Sequence, residues 1–273
     1  MAIITYWNDG KVETSQSMTI SAIAATLAIN YDYKILIINT KYNDLTLERA
    51  FEPKNNINAF FTKGKLDLDT GLSGVAKAIA SNKTSPEIIT NYTKIILKNL
   101  ELLTEKNVDR ENFERYIKYI KDIIRLANRY YDIVLVDLEG KIEEHEVEEI
   151  LEMSTVRVAT LVQNINVIDD YIEKKGKNLI LQNKNWIFSI GKYDPKSKYT
   201  IKNISKYIGE RRIHGIPYNT MFSMDASEGK VADYIIRFKR VKQTHVNFSF
   251  IESLNKEAEE IVNLIKEGQR KIY

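Results

Sequence analysis

The sequence predicts an α/β protein built on a mostly parallel central sheet with helices on both faces. Three observations carry that expectation. Apolar strand candidates recur at Ile3–Tyr6, Ile35–Ile38, Ile133–Val136, Val156–Val162 and Trp186–Ile190. Helical patterns lie between several of them, the order that crossovers between parallel strands require. Only four prolines, at 53, 86, 195 and 217, interrupt the 273 residues, and no Gly/Ser/Pro-rich linker divides them, so a single domain over 1–273 is expected.

The first unit has the shape of a phosphate-binding β-loop-α-β element. Ile3, Ile4 and Tyr6 open a short strand, Trp7–Ser17 reads as a polar loop, Met18–Asn30 as an Ala-rich helix and Ile35–Ile38 as the second strand. An insertion-like helical segment at about 52–129 then interrupts the alternation. Its later part, Asp109–Arg129, is amphipathic: Asp109 is placed to cap the N-terminus, and Phe113, Tyr116, Ile117, Ile120, Ile123, Ile124 and Ala127 follow helical spacing. A C-terminal helix at about 249–270 carries Phe248, Ile251, Leu254, Ala258, Ile261, Leu264 and Ile265 on one stripe, opposite Lys256, Glu257, Glu260 and Lys266. It reads as a docking helix. A membrane-surface helix is the sharper alternative, from the cluster Lys266, Arg270 and Lys271, but Glu257, Glu259, Glu260 and Glu267 oppose anionic lipid and leave at most a weak contact.

Forty basic residues nearly balance 37 acidic ones, so the formal charge of +3 makes no general case for nucleic acid or membrane. The densest basic stretch is Arg211, Arg212, Arg237, Lys239, Arg240 and Lys242, either a DNA-binding surface or a solvated face. The absence of cysteine excludes disulfides, thiolate metal sites and a cysteine nucleophile. No run approaches a membrane span and the N-terminus lacks the order of a signal peptide, so the expected location is cytoplasmic. His145, His214 and His245 have no helical metal spacing.

Strand, loop, Ala-rich helix and strand, followed by the apolar run Asp132–Val136 ending in Asp137, resemble the deviant Walker ATPases of the ParA/MinD family, with its P-loop NTPase fold. The family loop reads Lys-Gly-Gly-x-Gly-Lys-[Ser/Thr]-[Ser/Thr]. Anchored on the helix Ile23–Ala28, it aligns with Lys11-Val12-Glu13-Thr14-Ser15-Gln16-Ser17-Met18. The resemblance implies that Lys11 is the signature lysine that reaches across a nucleotide-sandwich dimer and that Ser17 is the magnesium hydroxyl. A solvated loop lysine and a helix-capping serine are the plainer readings.

The departures fall on the chemistry. Val12, Glu13 and Ser15 replace all three glycines, and Gln16, which carries no charge, replaces the phosphate-clamping lysine. Glu13 adds a carboxylate that repels a phosphate by about 1 kcal/mol at 4 Å in water and about 4 kcal/mol at a partly buried site. Where the family ends its second strand in Asp-x-Asp, this chain has Asn39 and Lys41, neither a general base. Asp44 is either a replacement acid or an ordinary turn residue. Asp137 matches the acid that holds a magnesium-bound water, and Leu138-Glu139-Gly140 falls on the second switch. Gly191 occupies the place of the asparagine that reads the base, Ile216-Pro217-Tyr218 is similar to the segment flanking adenine, and Ala226–Gly229 resembles the turn after it.

The resemblance therefore implies ATP and magnesium as cofactors, while the departures weigh against both. The expected function is a degenerate relative that acts in positioning, partition or assembly of a bacterial machine, as a homodimer with a protein partner and with weak or no ATP hydrolysis. Within the family the resemblance implies a functional analogy with the positioning proteins of Tad/Flp pilus systems, similar to TadZ and CpaE, which also depart in their Walker motifs. The alternative is an active, nucleotide-dependent dimerising ATPase switch of the partition type that uses Lys11, Ser17, Asp137 and Asp44 and binds DNA non-specifically.

Overall fold

A computed structural model describes residues 1–52, 71–105 and 108–270. Among these, eight strands form one sheet in the order β3-β4-β2-β5-β1-β6-β7-β8. They are β1 (Ala2–Asn8), β2 (Ile35–Asn39), β3 (Lys94–Leu97), β4 (Leu100–Leu103), β5 (Ile133–Glu139), β6 (Val156–Val162), β7 (Trp186–Tyr193) and β8 (Ile213–Pro217). Every neighbouring pair is parallel except the edge hairpin β3–β4.

The sheet is sandwiched between two helical layers, each closing its own apolar core. On one face lie α1 (Gln16–Asn30), α2 (Thr46–Phe51) and the last three helices, α9 (Thr220–Ser227), α10 (Val231–Phe238) and α11 (Phe248–Arg270). On the other lie α3 (Gly71–Ala80), α5 (Ile120–Asn128), α6 (His145–Met153), α7 (Ile165–Lys177) and α8 (Ile201–Ile208). A further helix, α4 (Arg110–Ile117), buries Phe113. The Ala-rich composition of α1 has a packing cause. It is covered by the sheet on one side and by α2, α10 and α11 on the other, so Ala22, Ala24, Ala25 and Ala28 are all buried.

The structure corrects the sequence reading in four places. Trp7 belongs to β1, not the loop, and its indole N–H donates to the Gly140 carbonyl at 2.8 Å. The stretch at about 52–129 is not wholly helical: it supplies β3 and β4, while residues 53–70 and 106–107 lie outside the described residues. Asp109 caps as expected, accepting the Asn112 N–H at 2.9 Å, but the amphipathic run splits into α4 and α5 at Lys118–Tyr119.

Glu257, read as part of the polar face of α11, is fully buried. It accepts hydrogen bonds from Tyr6 Oη and Ser189 Oγ, both at 2.8 Å, and burial pushes its carboxyl up to about 7. The apolar stripe of α11 is spent on the sheet and α1, with Ile251, Leu254, Ile261 and Ile265 all buried, and Lys271 lies outside the described residues. Among the described residues no helix is long and apolar enough to cross a membrane.

Candidate functional site

Parallel α/β sheets collect ligands at the carboxyl ends of their strands where the connections diverge. Here β1, β2 and β5 end together, and the loop after β1 with the turn after β2 encloses a polar cavity of about 240 Å³. Its walls are residues 10–18 with Asn8, Lys41, Asp44, Thr46 and Glu139.

The loop keeps a phosphate-binding shape without the residues that make that shape easy. Ser15, at the position of the family's third glycine, has φ 61° and ψ 26°, in the left-handed region that costs an L-residue about 1–2 kcal/mol. Its N–H donates to the carboxylate of Glu13 at 2.6 Å. An internal anion therefore takes up a backbone donor at the start of α1.

Gln16 is turned into the sheet. Its Nε2 donates to Asp137 Oδ1 at 2.6 Å, the Leu138 carbonyl at 2.9 Å and the Tyr6 carbonyl at 3.2 Å. Its Oε1 accepts from Asn8 Nδ2 at 3.0 Å and from the Thr160 hydroxyl. Two amide hydrogens already serve three acceptors, so Gln16 has none to offer a phosphate.

Ser17 and Asp137 do come together, with Ser17 Oγ donating to Asp137 Oδ2 at 2.5 Å. The cation between them belongs to Lys41, whose Nζ lies 3.0 Å from Ser17 Oγ and 3.1 Å from Asp137 Oδ1. Glu139 and Asp44 stand further out, at 3.8 and 3.9 Å. The turn after β2 aims this side chain inward. Asn39 Oδ1 accepts the Lys41 N–H at 3.0 Å, Asn39 Nδ2 donates to the Asp44 carbonyl at 2.7 Å, and Thr40 Oγ1 donates to the Asp137 carbonyl at 2.7 Å. Asn39 thus shapes the turn with an amide where the family carries an acid.

Asp44 serves the turn and also reaches the cavity wall. Its Oδ1 accepts the Thr46 N–H at 2.8 Å, a turn function, while its Oδ2 lies 3.4 Å from Ser17 Oγ at the cavity wall. Lys11 is exposed and paired with Asp170 on α7 at 2.7 Å; that hydrogen bond raises the Lys11 ammonium and lowers the Asp170 carboxyl. Met18 and Pro217 line a second, mostly apolar cavity of about 260 Å³, together with Ile216, Tyr218, Phe222 and Phe250. Gly191 lines neither cavity. A Cβ there would sit 2.2 Å from the Thr14 carbonyl oxygen, so the glycine lets β7 press against the loop backbone. The basic stretch is divided by the fold: Arg212 pairs with Glu260, Arg237 with Asp225, and Lys239 Nζ donates to the Ile29 carbonyl near the end of α1.

These residues do not fit magnesium. The ion takes oxygens at about 2.0–2.1 Å in an octahedron, and the Lys41 ammonium already holds the hydroxyl and the carboxylate that would bind it. Among the described residues no group of three or more His, Asp or Glu side chains is arranged to hold a metal. Nor does the cavity favour a polyphosphate: Glu13, Asp44 and Glu139 line it with Asp137 behind, against two lysines that are each already paired.

No protein-family model matches the sequence, and a search of curated proteins finds no match. Solved structures do match. A ParA family ATPase from Chlorobium tepidum superposes with a TM-score of 0.69 at 14% identity, over 94% of this chain and 98% of that one. The cell-division ATPase MinD of Pyrococcus furiosus gives 0.68 at 15% identity over 97% and 100%. MinD of Pyrococcus horikoshii, complexed with Mg-ADP, gives 0.66 at 14% over 98% and 99%. The chain has the ParA/MinD-type fold. On that fold Lys11, Gln16, Ser17, Lys41 and Asp44 line one cavity at the carboxyl ends of the strands with Asp137 behind it, whereas Gly191 supports the loop from outside. Sequence reasoning missed the part played by Lys41, although a lysine in place of an acid was the available signal. Asn8 and Thr160, the partners of the Gln16 carbonyl, gave none.

Proposed function

We propose that this chain is a degenerate ParA/MinD-like protein serving the positioning, partition or assembly of a bacterial machine in the cytoplasm, with weak or no ATP hydrolysis. The observation that carries the proposal is the closed polar cluster. Gln16 is saturated by the sheet, and Lys41 occupies Ser17 and Asp137, so neither a phosphate clamp nor a metal-bound water remains for hydrolysis.

Function then rests on surfaces. Tyr218, Met221 and Met224 are exposed beside the apolar cavity, and Val12 is exposed on the loop. Such an apolar rim supports homodimerisation and a protein partner. Lys11 stands at the same edge, held by Asp170 until a second copy competes for it.

Calorimetry with Mg-ATP on the wild type, Lys11→Ala and Asp137→Ala tests the reading. No heat of binding at millimolar nucleotide supports it. Saturable binding abolished in both variants would overturn it and restore the ATPase switch.

A further inference from the structure

Lys41 is an unusual lysine for a surface turn. Its side chain is only 12% exposed, and it turns inward to a carboxylate that is itself fully buried. Holding a long, strongly hydrated side chain inside costs rotamer freedom and hydration, which only the acceptors at its tip offset. Those acceptors are the hydroxyl of Ser17 and the carboxylate of Asp137, with the Glu139 and Asp44 carboxylates within 4 Å. One hydroxyl with one or two carboxylates and water is an ordinary magnesium environment. An ammonium has three donors and one positive charge, and can satisfy the same oxygens at hydrogen-bond distance.

We infer that the Lys41 ammonium is a tethered replacement for a divalent ion. It neutralises Asp137 and fixes the Ser17 hydroxyl, so the junction of loop, α1 and β5 is complete without metal, and a divalent site opens only when the Lys41 charge is removed. The inference deepens the proposed function at the same site, but its test contains no nucleotide, so either can fail while the other stands.

The test compares Mn²⁺ binding, by the loss of the free-ion electron paramagnetic resonance signal, with thermal melting with and without Mn²⁺. The proteins are the wild-type 273-residue chain, Lys41→Met, Lys41→Gln and Lys41→Met/Asp137→Asn. A monovalent and a divalent charge about 4 Å apart in water repel enough to change affinity about 30-fold, so Lys41→Met should bind Mn²⁺ at least that much more tightly than the wild type. It should melt below the wild type without metal and regain that loss with Mn²⁺. The double variant should bind no better than the wild type.

Lys41→Gln keeps a donor toward Asp137 without the charge and should also gain Mn²⁺. If both single variants are unfolded without metal, recovery of the fold on adding Mn²⁺ supports the inference, and failure to recover overturns it. Equal Mn²⁺ affinity in wild type and Lys41→Met, or a folded Lys41→Met that is destabilised but not rescued, would also overturn it. In the last case the contact is an ordinary ion pair.

Discussion

Asp137 and Glu257 are both completely enclosed on the same face of the sheet, and Tyr6 connects them: its carbonyl accepts from Gln16, which also binds Asp137, and its hydroxyl donates to Glu257. At Asp137 the chain supplies a cation, an amide and a hydroxyl. At Glu257 it supplies two neutral hydroxyls, and burial leaves the carboxyl raised to about 7. The first site depends on an ion partner. The second depends on the proton. The first region is organised around a buried ion pair; the second buries an acid against hydroxyls and so ties α11 to β1 and β7.

The largest expected effect comes from breaking the ionic member of this pair. Asp137→Ala leaves Lys41 with the neutral Ser17 hydroxyl and the more distant Glu139 and Asp44 carboxylates, and losing one partner of a buried pair costs about 3–5 kcal/mol. Urea unfolding of the variant should show a loss of at least about 3 kcal/mol. A loss below about 1 kcal/mol would mean that the cluster contributes nothing the surrounding core does not already provide.

Glu257 sharpens the contrast through pH. Its folded value, about 7, lies above its ordinary 4.5, so the native state holds the proton more firmly than the unfolded chain. Its contribution is therefore complete below about pH 4.5 and is lost as pH rises through about 7, an effect of about 3 kcal/mol for this fully buried group. Glu257→Gln, which keeps the shape and cannot ionise, should remove that slope and be more stable than the wild type at pH 8. Parallel stability–pH curves for the two proteins would show that Glu257 does not titrate in this window.

Gly191 tests the backbone that holds the ionic region in place. In Gly191→Ala the new methyl meets the Thr14 backbone carbonyl oxygen at 2.2 Å, and strand or loop must move. Overpacking of this kind costs about 1–3 kcal/mol, and the melting temperature should fall accordingly. An unchanged melting temperature would show that the loop yields without resistance and that its left-handed Ser15 is not held from behind.

Much of this architecture was legible in the chain. The runs at Ile35–Ile38, Ile133–Val136 and Val156–Val162 are unbroken or nearly so because β2, β5 and β6 are covered on both faces. β3, β4 and β8 were not legible. β4 is four residues long and contains Glu101, whose carboxylate is met by Tyr131 and Thr93 from outside the strand, and β8 is short and carries His214 and Gly215. Glu257 was misplaced because charge outweighed spacing, although it lies three residues after Leu254 and four before Ile261, in line with the buried stripe. At the site, the order of elements brought Ser17 and Asp137 to the same end of the sheet, where the two are hydrogen-bonded. What filled the space between them depended on the direction of one flexible side chain, fixed by the Asn39 and Thr40 contacts of a turn that no local pattern encodes.

Lys11 gives the smallest effect and the most informative contrast with Lys41. Both lysines border the same cavity and both pair with an aspartate, but the Lys11–Asp170 pair has about half of each side chain in water. Exposed pairs contribute little because water and salt screen them. Lys11→Ala should therefore leave the melting temperature unchanged, whereas Lys41→Met lowers it. If Lys11 serves a dimer, its loss should instead appear in sedimentation as weaker self-association at unchanged fold stability. A Lys11→Ala protein that melts well below the wild type would place Lys11 in the folded core of the loop and remove it as a group free to reach a second copy.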